Sequence, residues 1–230
     1  MGLWHVMYES WQMECCGEPF GVGDEVRWPL LLEDADSFYG GGWHDQLTKV
    51  SGPVEDLPDG EGSVRVVREE SGLTVALHGD GEEEDAPCPG EWIRAVGLLS
   101  VERHSGEWPE VTGRVRAVQV LTQRFEETAP GSRTFEPVAR ERSLRSVSRC
   151  PKWFARESTP APDGRERRRV ESAAVVTLEV PGTDSWLSHA VRRARGLPHG
   201  ETGPGAETAG LSPAEVTALL AALSPLREPV

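Results

Sequence analysis

The sequence has no asparagine, a single isoleucine (Ile93) and two lysines against 22 arginines. The scarce residues have A/T-rich codons, so the gene reads as one from a GC-rich bacterial genome. Arginine clusters therefore cannot be credited to function on number alone. The chain also lacks any run near the ~18 uninterrupted apolar residues that a transmembrane helix needs, and a membrane partner is not expected. Its first residues, MGLWHVMYESWQ, carry no basic stretch and no long apolar stretch, so a secretory signal is not expected. No GxxxxGK[ST], HExxH or GxSxG pattern occurs, and GGG at 40–42 lacks the GxGxxG spacing of a dinucleotide loop. The cysteines are only four: Cys15, Cys16, Cys88 and Cys150. Without an export signal, reduced thiols in a cytoplasm are expected, and neighbours such as Cys15 and Cys16 rarely pair because the ring they close is strained.

What is present is acid. The 230 residues hold 38 acids and 24 bases, a net charge of −14, which disfavours a basic nucleic-acid binder as a description of the whole chain. The charge is uneven: residues 1–110 hold 24 acids and 6 bases, whereas 111–230 hold 14 acids and 18 bases, and within them 112–169 hold 14 bases and 7 acids. Such halves attract each other and keep the chain soluble. A sharper reading turns the basic stretch toward an anionic partner. Apolar residues are only 37%, yet eight Trp and five Phe supply bulky core material.

Along the chain, the strand signals outnumber the helix signals. LWHVMY (3–8) reads as a short buried strand, followed by a turn-rich link through 9–19. In FGVGDEVRW, Gly23-Asp24 marks a turn, with Gly23 at positive φ and Asp24 accepting from neighbouring backbone N–H groups. Val26 and Trp28 then alternate with Glu25 and Arg27, which puts both apolar residues on one strand face. SVRVVRE (63–69) and LTVALHG (73–79) read as a hairpin. The segment 91–104 is apolar with weak alternation. VTGRVRAVQVLTQRFEE (111–127) is the clearest strand, with a slip at Ala117-Val118 that predicts a bulge or burial on both faces. Residues 170–182 read as a last strand. Residues 33–62 and 79–90 read as acidic loops, and 128–157 as mostly irregular.

At the C-terminal end, 185–196 reads as a short helix and 197–210 as a flexible linker. LSPAEV then supplies a capping box: Ser212 as N-cap, Pro213 at the first helical position, Glu215 three residues in. Val216, Leu219, Leu220 and Leu223 form one apolar stripe, so this helix is expected to fold by docking.

The most unusual segment is WQMECCGEPF, from Trp11 to Phe20. The bland expectation is small buried thiols beside a tight turn. As a metal site Cys15 and Cys16 are incomplete, because a tetrahedral cation wants further Cys or His ligands, and adjacent cysteines share one metal less readily. His5, Cys88 or Cys150 could complete the set in space. Metal candidates are thus Cys15, Cys16 and His5; candidate binding residues are Trp11, Trp43, His44, Arg114 and Arg116. No catalytic residue is assigned and no cofactor is expected. Trp43-His44-Asp45 reads as an exposed polar loop. Arg165 and Arg167–Arg169 form a basic cluster without aromatic interleaving, the pattern of a solvated hairpin tip more than of a phosphate grip.

Trp11, Gln12, Cys15, Cys16, Gly17, Pro19, Phe20, Val22, Gly23, Asp24, Val26 and Trp28 together match a pattern WQ-x2-CCG-x-PF followed by VGD-x-V-x-W. This stretch resembles the opening of an uncharacterised family of high-GC actinobacterial proteins, a domain of unknown function. The resemblance implies an intracellular bacterial protein and no assigned activity.

These signals predict a mainly β protein: one barrel-like or sandwich-like β domain with long loops over 1–182, a short helix at 183–196, a linker at 197–210, and a capped helix with its tail at 211–230. The expected function is a noncatalytic intracellular binding or regulatory module, whose partner is a protein or a second copy more than nucleic acid. Two alternatives stay open: a metal- or thiol-dependent protein centred on Cys15 and Cys16, and a nucleic-acid-binding barrel that uses residues 112–169.

Overall fold

A computed structural model of the chain describes residues 2–35, 39, 41–43, 46–59, 62–69, 72–78, 87–182, 185 and 188. It is mainly β, with eleven strands hydrogen-bonded into one continuous sheet and, among the described residues, a single short helix. The helices expected at 185–196 and 213–223 and the linker between them lie outside the described residues, as does His44, apart from the isolated positions 185 and 188.

The strand β1 (Gly2–Glu9) is central, buried over seven of its eight residues. It pairs antiparallel along its whole length with β11 (Glu166–Val180), from Gly2 opposite Val180 to Glu9 opposite Ala173. The long strand β8 (Val111–Glu127) lies on the other edge of β11. Ala117 and Val118 are both buried and regularly paired with Thr177 and Val176, so the slip there marks burial on both faces; one of the ladder's two register shifts falls at the next residue, Arg116, between Thr177 and Leu178. β9 (Phe135–Val147) and β10 (Arg156–Pro160) extend β8 and β11 outward, and β2 (Glu25–Trp28) pairs with the start of β8. On the other side, β7 (Trp92–Val101) meets β1 in parallel at Val6 and Met7. From β7 the pairings run through β3 (Leu30–Glu33), β6 (Thr74–Leu77), β5 (Gly62–Arg68) and β4 (Thr48–Asp59), and β4 returns to β7. Those five strands form a closed hydrogen-bonding circuit.

Alternation along β1 divides the interior. Trp4, Val6 and Tyr8 point into the main core with Trp28, Leu30, Val67, Leu99, Val118 and Val176. Met7 points to the opposite face, against Trp43, Leu98, Leu121 and Val175. Beside β2, three aromatic rings close the core. Tyr8 stacks on Phe20 at 5.9 Å, and Trp28 meets Tyr8 edge-on at 5.4 Å and Phe20 at 4.8 Å. The turn before β2 is built as its residues dictate: Gly23 has φ +97°, and the Gly21 N–H donates to Asp24 Oδ2 at 2.8 Å. Among the described residues, the N-terminal end of β1 has a strand on one edge alone. There the Leu3 N–H donates to the hydroxyls of Ser185 and Ser188, at 3.0 and 2.8 Å.

Three expectations are corrected. Residues 48–59 are strand β4, not loop. This strand pairs with β7 over Thr48–Pro53 and then with β5 over Val54–Asp59. Gly52-Pro53 sits where it changes partner, which is where a strand accepts glycine and proline. Residues 135–147 are strand β9, whose burial pattern shows no buried face, so it carries no apolar alternation. Residues 10–16 are helical, in a segment too short for a period to show.

Candidate metal centre at the end of the short helix

The helix α1 (Ser10–Cys16) follows β1 without a loop, and its seven residues are too few to be stable alone. Tertiary bonds hold it. Met13 is fully buried in the main core. Gln12, 1% exposed, donates from Nε2 to the Val101 carbonyl at 2.8 Å and accepts at Oε1 from the Arg103 N–H at 3.3 Å. The Lys152 ammonium donates to the carbonyls of Met13 (2.6 Å) and Gly17 (2.9 Å), placing a cation at the negative end of the helix. Glu14 accepts from the Phe154 N–H and from Arg156.

Gln12 therefore fixes more than the helix. By gripping the end of β7 and the turn after it, it sets residues 101–104 beside the last turn of α1. Within that turn the Glu102 carboxylate accepts from the N–H groups of His104 (2.5 Å) and Ser105 (3.1 Å). The result is a contact between residues 88 apart in sequence: Cys16 Sγ lies 3.3 Å from His104 Nε2. Cys15 completes a group of three whose donor atoms all lie within 4.8 Å of one another. Trp11 stacks on the His104 ring at 5.1 Å, and its Nε1 donates to Glu9 Oε2 at 2.6 Å.

Both thiols are exposed, which overturns the expectation of buried thiols beside a turn. They sit at the helix's solvent-facing end, and Met13 takes the core position instead. Burial of the sulfur itself, then the hydrogen bond and charge of Cys15, push the Cys16 thiol above its ordinary range, while Arg103 and Lys152 oppose the shift. A raised thiol is poorer in the thiolate that nucleophilic attack and metal ligation both need, so a cation bound there displaces the Cys16 proton. With Cys15 and an imidazole, Cys16 forms a soft S,S,N donor set suited to a zinc-class cation.

The other sequence candidates are dispersed. His5 lies on the face of β1 opposite Tyr8, because strand side chains alternate, and the three-donor group does not include it. Trp43 is 1% exposed, with the Arg142 guanidinium 3.8 Å above its ring. Arg114 is exposed between Glu25 and Glu179 in the strand register, and Arg116 is paired with the Glu179 carboxylate. Trp11 is at the centre. Cys88 is exposed and bonded through its N–H to Glu91. His104 carries no spacing signal in the sequence; only the fold brings it to Cys16.

Cys150 is buried, and burial alone raises its thiol to about 12. Native protein titrated with a chromogenic disulfide reagent is expected to show three reactive thiols, with the fourth appearing only on unfolding. Four fast thiols would contradict the packing. Because the folded thiol ionises above the ordinary value of 9.0, its contribution to stability is complete below that pH. That contribution is lost as pH rises toward about 12.

No helix among the described residues is long and apolar enough to cross a membrane. No curated protein and no solved structure matches the chain. One family model does, over residues 2–180, a span that holds every strand, the short helix and the thiol–imidazole corner: the chain belongs to a family of unknown function, DUF6578.

Proposed function

We propose that the protein is a noncatalytic binding module whose ligand is a thiophilic metal cation held by Cys15, Cys16 and His104. The reading rests on one observation, the convergence of two thiols and an imidazole within 4.8 Å across 88 residues of sequence. Bond lengths of ~2.3 Å to sulfur and ~2.0–2.1 Å to nitrogen put tetrahedral donors ~3.6–3.8 Å apart. Small side-chain rotations reach that spacing. Successive helical residues diverge by about 100°, the usual obstacle to adjacent cysteines sharing a metal. Here Cys16 ends the helix, so the obstacle is relaxed on one side. Three protein donors leave one position of a tetrahedral cation to water or to a donor from a partner.

Zinc titration of the full chain against a chromophoric chelator tests it. The expected result is one equivalent bound. Cys16→Ser and His104→Ala should each weaken binding more than the ~10–100-fold that loss of an outer partner costs. Cys88→Ser, outside the group, should leave it unchanged. Binding that survives Cys16→Ser and His104→Ala would exclude the site.

A further inference from the structure

A concavity lies where β9, β8, β11 and β10 run side by side. It has a volume of about 670 Å³, inside the ~300–1,000 Å³ range of small-ligand sites. Among its ten lining residues are five arginines and only two acids, in a chain whose net charge is −14. Three hydroxyl residues, Thr122, Ser143 and Thr159, line it as well.

The strand register explains the concentration of charge. Arg169 on β11 stands directly opposite Arg124 on β8, and Arg167 lies two residues away on the same face. Like charges directly opposite each other across two strands destabilise a sheet. Arg124 is relieved by Glu141, and Arg167 by Glu126. Arg169 is exposed and makes no ion pair among the described residues, although Glu157 stands opposite it on β10. The fold therefore holds a guanidinium with no direct ion pair beside a second one, and three hydroxyl residues line the same groove.

We propose that this groove binds a small ligand carrying a di- or triphosphate. Guanidinium groups donate in a planar fork that fits phosphate oxygens, and a chain of phosphates can engage Arg169 and Arg124 together with the hydroxyls. The lining contains no aromatic residue on which a base could stack, and the acidic chain repels long polyanions. Both facts favour a small phosphorylated ligand over nucleic acid. The proposal is independent of the metal centre.

Calorimetric titration of the full chain with tripolyphosphate and with ATP at low salt tests it. The expected result is saturable binding that weakens at least tenfold in Arg169→Glu, weakens less in Arg169→Lys, which keeps the charge but loses the fork, and is unchanged in Arg114→Glu, an exposed arginine outside the groove. No binding at millimolar ligand overturns the proposal. So does an equal loss in Arg169→Glu and Arg114→Glu, which reports bulk charge alone. Tighter binding of a single-stranded RNA oligomer than of tripolyphosphate overturns it in favour of a nucleic-acid surface.

Discussion

Trp28→Ala is expected to destabilise the fold by ~3–5 kcal/mol, read as a lowered denaturant midpoint at unchanged slope. Trp28 is 3% exposed and is the last residue of a four-residue strand that, among the described residues, pairs only with β8. Its ring meets Tyr8 at 5.4 Å and Phe20 at 4.8 Å, both edge-on. Such aromatic pairs are worth ~0.5–1.5 kcal/mol beyond their buried area, so truncation loses two pairings as well as the burial. Domains of ordinary stability hold ~5–15 kcal/mol in total, and this one change removes a large share. Trp28→Phe should cost clearly less, because a ring remains to face Tyr8. An unchanged midpoint in Trp28→Ala would show that the ring does not belong to the core.

Gly17→Ala is expected to damage fold and site together. The Gly17 φ is −74°, so the strain is not in the backbone angle. It is in the space: an added Cβ would lie 2.7 Å from Met13 Cα and 2.8 Å from the Tyr8 hydroxyl. Met13 and Tyr8 are both essentially fully buried and cannot retreat. Overpacking of this kind costs ~1–3 kcal/mol, more than the ~0.4–1 kcal/mol that alanine gains by restricting the unfolded chain. The added methyl pushes on the last turn of α1, where Cys15 and Cys16 sit. Zinc affinity should therefore fall by ~10–100-fold, as for loss of a supporting outer partner. A melting temperature and a zinc affinity both equal to those of the parent would contradict the packing around Gly17.

Where one face of a segment is buried, its residues announce the structure. Val26 and Trp28 alternate after a Gly-Asp turn, and β2 forms there. The valine-rich run at 111–127 even betrays, at Ala117-Val118, that it is buried on both faces. β9 escapes for the opposite reason: with no buried face, its order comes from pairing with β8, which no local pattern records. β4 escapes because Gly52 and Pro53, read as loop residues, mark the change of partner within one long strand. The candidate metal centre was half legible. Cys15, Cys16 and Trp11 stand out as a motif, but Met13, not a thiol, takes the core position on α1. His104 is brought in by Gln12, whose two bonds to the 101–103 backbone are long-range and invisible in sequence.

X-ray absorption at the zinc edge of the loaded protein tests the metal centre most directly. The account predicts a first shell with two sulfur neighbours at ~2.3 Å and an imidazole nitrogen at ~2.0–2.1 Å, and the loss of one sulfur in Cys15→Ser. A shell of nitrogen and oxygen alone, or one that Cys15→Ser leaves unchanged, would contradict it.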